Sequence, residues 1–544
     1  MRINIMMTAL LMAGISGSAL LTQGCTGSTE RSAGERPNII LIYADDLGWS
    51  DVGANGARYY MTPNIDRLAA SGVNFTSAYA MTPVCRPARA ALQTGQYSGR
   101  TGCYQKNATA SGPEEEMSLR VPPNNNAGLT EGSVTIGDAL QAAGYQTAYI
   151  GKWDLADSPN TRGYPAEESF ATGGPWDWAH HHYNPVNEEQ YAAELAALPT
   201  PPRGVTYNNN NPFAFLKNKD AVPEGTYLSD YLTDKSIEYI ESHHADSAPF
   251  FLMLSHFVPH IPVDAPATSI LKYKNRPPDG GDQYPAYAGM IDKLDESVGR
   301  IIDTIAELGI DDNTIVIFSS DNGGHGSFAE LTNNDPLGGS DLTDNAPLRG
   351  GKCYLYEGGV RVPLIVSWPG VIPDGSRSDE PVAHIDFFPT CLELAGSLPS
   401  QLPMLQEHPL DGKSVVPLLK NPQQAALHRE YIAFSYPVYD KGTHWRFTPA
   451  AAIRMGEWKL VEQFPGEETP GDGSCVELYN LSTDIGERRD LSKTMPEKAS
   501  ELQQQLMRWY EETGALLPER KPPADTYTDR DVRFRPADWV QVEP

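Results

Sequence analysis

Positive charge is what this chain of 544 residues has too little of: 42 Lys and Arg stand against 70 Asp and Glu, a formal net charge of −28. Phosphate binding along a nucleic acid needs a basic surface, so a general nucleic-acid binder is excluded. An anionic substrate must instead be attracted by a local cluster of cations. Cysteine is sparse as well, with six residues at Cys25, Cys85, Cys103, Cys353, Cys391 and Cys475, and their pairing cannot be read from spacing. Beyond the N-terminus no hydrophobic run is long enough to span a membrane, and no internal repeat is visible. The chain nevertheless has 40% hydrophobic residues, which supports ordinary globular folding, and its length predicts two domains.

Residues 1–24 carry one early cation, Arg2, followed by an apolar run over 3–21, and read as an export signal. Cys25 follows Leu21-Thr22-Gln23-Gly24, which resembles a bacterial lipoprotein cleavage box with Gly24 at the small position and Gln23 departing from it. Cys25 is therefore a candidate for lipidation and membrane attachment. Residues 25–36 read as a polar tether, and the expected location is exported, in the periplasm or at the cell surface.

Asn38-Ile39-Ile40-Leu41-Ile42-Tyr43-Ala44 is a continuous apolar run that ends in Asp45-Asp46-Leu47-Gly48. Thr314-Ile315-Val316-Ile317-Phe318-Ser319-Ser320 repeats the arrangement before Asp321-Asn322-Gly323-Gly324. Such runs are the signature of strands buried on both faces. Further core strands are expected over 249–255 and 362–368. Helical patterns lie between them, over 65–71 with Gly72 as its C-cap, and over 287–308 ending at Gly309. The alternation predicts an α/β sheet with helices on both faces and ligands beyond the strand ends. Clusters of Asn and Pro at 122–126 and 208–212 read as surface loops. After about residue 425 the character shifts to short antiparallel strands, over 431–435 and 451–461, and then a helix over 497–514. The expected division is a catalytic domain over 37–425 and a smaller α+β domain over 426–544.

Asp45, Asp46, Asp321 and Asn322 offer oxygen ligands only, from two strand ends, a set that suits a hard cation such as Ca²⁺, with Mg²⁺ second, rather than zinc. Either pair alone could simply cap a loop; two pairs on separate core strands are harder to dismiss. Cys85-Arg86-Pro87-Ala88-Arg89 places a thiol, a rigid proline and a fixed cation at a helix start, followed by Thr94-Gly95. Taken alone, Cys85 reads as a buried structural cysteine and Pro87 as a first-turn proline. The run Cys-x-Pro-x-Arg-x4-Thr-Gly, however, resembles the signature of the type I sulfatases.

Other segments extend that resemblance from about residue 37 to 491. Gly151-Lys152-Trp153-Asp154-Leu155 resembles the family's Gly-Lys-Trp-His-Leu motif, with Asp154 where histidine is usual. Ser255-His256-Phe257-Val258-Pro259-His260 resembles the segment whose histidine, here His260, contacts the leaving oxygen; His256 reads as structural. Asn345-Ala346-Pro347-Leu348-Arg349-Gly350-Gly351-Lys352 and Tyr356-Glu357-Gly358-Gly359-Val360-Arg361 match a further stretch, in which Arg349 and Arg361 are taken as structural. Glu477-Leu478-Tyr479-Asn480-Leu481 resembles the closing motif.

The resemblance implies an alkaline-phosphatase-like fold, a large mixed sheet flanked by helices with a smaller C-terminal domain built on an antiparallel sheet. It implies hydrolysis of a sulfate ester with a formylglycine that a maturation enzyme makes from Cys85, and a Ca²⁺ ion held by Asp45, Asp46, Asp321, Asn322 and the modified residue 85. Arg89 and the cation hold the hydrated aldehyde, Lys152 and Lys352 bind the sulfuryl oxygens, and His260 protonates the leaving alcohol as an imidazole near neutral pKa can. Asp154 is left as a candidate proton acceptor when sulfate is expelled. If Cys25 and Cys85 are both modified, Cys103, Cys353, Cys391 and Cys475 remain for disulfides in an oxidising compartment.

Trp176-Asp177-Trp178-Ala179-His180-His181-His182 is the most unusual stretch. Aromatic rings stack on sugar faces, and Trp176, Trp178, His180, His181 and His182, with His325, are candidate contacts for a sulfated oligo- or polysaccharide. The same stretch could equally be a loop folded around its own tryptophans. Two other function classes stand beside the sulfatase reading. One is a phosphate or phosphonate ester hydrolase of the same superfamily, disfavoured by the oxygen-only ligand set. The other is an inactive glycan-binding surface lipoprotein, which only Asp154 encourages.

Overall fold

The computed structural model describes residues 36–104, 110–111, 119–120, 128–155, 157–165, 167–172, 191, 193–194, 197, 226–260, 263, 265–277, 284–326, 342–440, 449–464 and 475–520. Cys25, Trp176, Trp178, His180, His181 and His182, and the loops expected at 122–126 and 208–212, lie outside the described residues. Residues 36–544 form one compact unit.

Its centre is an eight-stranded sheet. The strands are β1 (Asn38–Ala44), β2 (Gly72–Phe75), β3 (Gln146–Lys152), β4 (Phe170–Thr172), β5 (Phe250–Ser255), β6 (Thr314–Ser320), β7 (Leu364–Ser367) and β8 (Ser376–Ser378), in the order β8-β2-β7-β6-β1-β5-β3-β4. Pairing is parallel from β6 through β4, whereas β7 runs antiparallel to both β6 and β2. The sheet is therefore mixed. Every residue of β1 is buried, because successive side chains enter two different cores. Ile39, Leu41 and Tyr43 face one core; Ile40, Ile42 and Ala44 face the other.

Helices α1 (Pro63–Ala70), α2 (Cys85–Thr94), α3 (Ile136–Ala142), α4 (Leu228–His243), α5 (Pro285–Glu307) and α6 (Phe387–Leu394) cover the two faces. Leu92, Leu140 and Phe388 from α2, α3 and α6 pack with Leu41, while Leu68, Leu232 and Ile291 from α1, α4 and α5 pack with Ile42. Among the described residues no helix is long and apolar enough to cross a membrane.

The expected cap at Gly72 is not what the chain does there. The cap residue of α1 is Ser71, and Gly72 opens β2, where a Cβ would lie 2.1 Å from the Val366 carbonyl oxygen. Close approach between strands, rather than a helix end, demands that glycine. Gly309, after α5, does adopt a positive φ of 67°. Pro363 separates β7 from a short strand at Arg361–Val362, as a residue without an N–H should.

A second sheet, antiparallel, has the order β9-β10-β11-β12 over Ile432–Tyr436, Ala450–Met455, Trp458–Gln463 and Cys475–Asn480. Helix α7 (Pro496–Thr513) packs on it through Leu502, Leu506 and Trp509. The same core takes in Tyr79, Val84 and Tyr97, which flank α2. The small sheet thus buttresses the helix that carries Cys85.

Candidate active site

Strand register brings the site together. Ala44 pairs with Ser320 and Tyr43 with both Ser319 and Ser255, while Gly151 pairs with Ser255. The residues just past these parallel strands, Asp45 and Asp46, Asp321 and Asn322, and His256, must therefore emerge on one edge, where the last residue of β3, Lys152, also lies. Asp46 turns the chain with φ of 65°, a conformation aspartate tolerates. Its turn is braced by Asp51, which accepts from Gly48 N and from the hydroxyls of Tyr287 and Thr343.

Helix α2 enters from above that edge. Cys85 is its first residue, Pro87 sits in the first turn where its missing N–H costs nothing, and Gly95 closes the helix at φ 66°. Cys85 Sγ lies 3.2 Å from Asp45 Oδ1 and 3.8 Å from Asp46 Oδ1. One turn along α2, Arg89 donates to Asp321 Oδ2 from Nε at 3.0 Å and Nη2 at 2.8 Å, and to the Lys152 carbonyl at 2.9 Å and Ser255 Oγ at 2.6 Å from Nη1. Ser255 had no role in the sequence reading; only its position at the end of a core strand could have flagged it.

Lys152 Nζ donates to Asp45 Oδ2 at 2.5 Å and Lys352 Nζ to Asp46 Oδ2 at 2.6 Å. His260 Nε2 lies 3.6 Å from Asp46 Oδ2. Burial pushes the Asp45 carboxyl up, but Lys152, His260 and Arg89 more than offset it and hold the group well below the usual carboxylate range. Asp46 is likewise held low, chiefly by Lys352 acting against burial. Asp321 behaves oppositely: burial and then the charge on Asp45 push it up to about 7. Burial, with Asp321 and Asp45, also pushes the Cys85 thiol well above its ordinary value. Carboxylates this close repel one another, and a cation among them relieves the repulsion.

The donor set fits such a cation. Ligand atoms of Asp45, Asp46, Cys85 and His260 lie within 4.8 Å of one another. Asn322 Nδ2 donates to Asp46 Oδ1 and to the Gly323 carbonyl, which leaves Oδ1 buried without a hydrogen-bond partner. A buried orphan acceptor beside three carboxylates is what an oxygen-ligated hard cation needs.

Several expectations change. The His260 imidazole does not stand near neutrality, because burial and then the Lys352 charge pull it down to about 4. Asp154, in a left-handed turn at φ 52°, has its carboxylate engaged: Arg86 Nη2 donates to Oδ1 at 3.0 Å and Arg86 Nε to the Asp154 carbonyl at 2.7 Å. His325 is wholly buried beside Asp46, Lys352 and His260. Cys103 and Cys391 are free thiols here rather than partners in disulfides. Arg349 and Arg361 are structural, reaching Tyr479 and Glu357 respectively.

The family model described as Sulfatase matches residues 37–397, and one described as N-sulphoglucosamine sulphohydrolase, C-terminal, matches 351–513. A protein described as Sulfatase from Formosa agariphila is 32% identical over 538 residues, covering 90% of this chain and 89% of its own. N-acetylgalactosamine-6-sulfatase of Mus musculus is 29% identical over 501 residues, covering 87% and 85%. The crystal structure of Ps i-CgsB in complex with k-i-k-neocarrahexaose is 30% identical with a TM-score of 0.66, covering 87% of this chain and 92% of that one. The mixed sheet with its antiparallel C-terminal partner is the alkaline-phosphatase-like arrangement expected from the sequence.

Proposed function

The chain belongs to the sulfatase family of sulfuric ester hydrolases, and on that premise we propose that it cleaves a sulfate ester of a sulfated carbohydrate using a formylglycine made from Cys85 and one bound Ca²⁺. The observation that carries this is the setting of Cys85, whose Sγ touches Asp45 while two lysines reach the same pair of aspartates. The thiol itself, pushed up by burial and carboxylates, is poorly suited to act as a thiolate. A carbohydrate substrate is supported by the similar proteins, one acting on N-acetylgalactosamine 6-sulfate by name and one solved with a neocarrahexaose.

A formylglycine at position 85 would, once hydrated, supply the hydroxyl for attack on sulfur. Asp45, Asp46, Asp321 and Asn322 would hold the cation, whose charge favours the ionised form of that hydroxyl. The chain's own residues do the rest. Arg89 fixes Asp321 and the Lys152 carbonyl at once, which sets the nucleophile helix against the metal ligands. Lys152 and Lys352 offset charge on the sulfuryl oxygens, the kind of electrostatic stabilisation that dominates such transfers. His260 carries the proton to the departing alcohol oxygen. Its affinity for that proton, low in the free protein, rises when an anionic sulfate group lies beside it.

The test is mass spectrometry of the Cys85 peptide from protein co-produced with a maturation enzyme, followed by assay against the sulfate and phosphate esters of one aryl alcohol. Formylglycine with preference for the sulfate ester is expected. An unmodified thiol under competent maturation, or preference for the phosphate ester, overturns the reading.

A further inference from the structure

We infer that Arg86, through Asp154, is a positioning residue for Lys152, and that the Asp154 carboxylate serves this clamp rather than accepting a proton in turnover. The inference rests on the role proposed above for Lys152.

Lys152 ends β3, and the chain then leaves the sheet by an unusual turn. Gly151 has φ of 110° and Asp154 has φ of 52°. The first conformation needs glycine and the second is one aspartate tolerates, as at Asp46, and contacts from a neighbouring helix hold the turn in place. Two arginines spaced one helical turn apart on α2 do so. Arg89 donates to the Lys152 carbonyl at 2.9 Å, and Arg86 donates to the Asp154 carbonyl at 2.7 Å and to its carboxylate at 3.0 Å. Two carbonyls of the lysine turn, those of Lys152 and Asp154, are thereby tied to the helix that begins with Cys85.

The ionic half of the clamp is buried: the Arg86 and Asp154 side chains are 1% and 3% exposed. Removing one partner of such a pair strands the other's charge away from water. A guanidinium binding both the carbonyl and the carboxylate of one residue fixes that residue's backbone as well as its charge, which lysine cannot do. With its Oδ1 taken by Arg86 Nη2 at 3.0 Å, the Asp154 carboxylate is committed to the clamp. Arg86 follows Cys85 directly, and Asp154 lies two residues from Lys152. Nucleophile and sulfate-binding lysine are therefore set in relation to each other by one buried ion pair.

The test compares Arg86→Gln, Arg86→Lys and Asp154→Asn, with formylglycine content measured by mass spectrometry and rates normalised to it. On an aryl sulfate, Arg86→Gln and Asp154→Asn are expected to raise KM about tenfold, as small displacements of a binding group do, and Arg86→Lys less. Inorganic sulfate binding, read by calorimetry on Cys85→Ala proteins that need no maturation, should weaken by the same factor. In a Lys152→Ala background Arg86→Gln should cost nothing further in kcat/KM or sulfate affinity, although its effect on Tm persists. If Arg86→Gln does not fold, Asp154→Asn and Arg86→Lys carry the same comparison. Equal losses with and without Lys152 overturn the inference. So does a stoichiometric burst followed by stalled turnover in Asp154→Asn, which would make Asp154 the proton acceptor. Fully matured wild-type protein without sulfatase activity would instead sink the underlying reading and leave the sulfate-affinity comparison standing.

Discussion

Lys152 Nζ donates to Asp45 Oδ2 at 2.5 Å, so a group proposed to bind sulfate already neutralises a proposed metal ligand. Cation and lysine share one carboxylate, and each therefore changes the other's binding. Lys152→Met is expected to lower kcat/KM about 10²–10³-fold, the usual cost of losing one preorganised electrostatic contact. Its affinity for Ca²⁺, measured by titration calorimetry, should rise because a competing positive charge has gone. A weaker Ca²⁺ site would mean that the lysine organises Asp45 instead.

Chelation of divalent ions should lower Tm and stop turnover, with Ca²⁺ restoring both and Mg²⁺ restoring less, since Mg²⁺ demands stricter octahedral geometry. At a concentration of Ca²⁺ about 100 times its Kd the stabilisation amounts to about 2.7 kcal/mol. Asn322→Ala, which removes the buried Oδ1 acceptor, should raise the Ca²⁺ needed for half-maximal activity. A Tm indifferent to chelator would count against a bound ion.

Gly151 can tolerate no side chain: a Cβ would lie 1.9 Å from the Ser255 carbonyl oxygen. Gly151→Ala must push β3 from β5 and carry Lys152 with it. A loss of about 10²-fold in kcat/KM is expected, with destabilisation of about 1–3 kcal/mol in urea titrations. Unchanged kinetics in a folded variant would show that the lysine position is not critical.

Lys459 in β11 lies 2.9 Å from both Glu357 and Glu487, all three side chains wholly buried. Lys459→Met leaves two carboxylates facing each other and should cost about 3–5 kcal/mol. The same cluster makes stability depend on pH. Arg361 and Arg454 join Lys459 in keeping Glu357 ionised against its burial, whereas burial and the Glu357 charge push Glu487 from its ordinary 4.5 up to about 7. A raised carboxyl binds its proton more tightly in the folded state. Its contribution is therefore complete below pH 4.5 and is lost as pH rises through about 7. Glu487→Gln should flatten the decline in Tm across that window; an unchanged slope would place the titration elsewhere.

Much of the centre was legible before any folding was known. Strands β1 and β6 sit between two cores, so each carries an apolar run, residues 39–44 and 315–318, and the carboxylates that follow mark the strand ends. Cys85, Pro87 and the alanines after them announce a helix start, and Gly95 its end. What remained hidden were the partners of buried charges. A helix and a turn 68 residues apart contribute Arg86 and Asp154, and nothing local in either segment says that they meet. The descent of His260 to about 4 was hidden for the same reason, since burial and Lys352 cause it.

The order and chemical type of the groups, carboxylates after strands, a cysteine at a helix start, lysines in glycine-bounded turns, belonged to the sequence alone, because local propensity and apolar pattern are encoded residue by residue. Which carboxylate meets which cation was decided only by tertiary structure. Parallel register sets Asp45 beside Asp321, α2 lowers Arg86 and Arg89 onto the Lys152 turn, and burial then determines which of these groups keeps its charge.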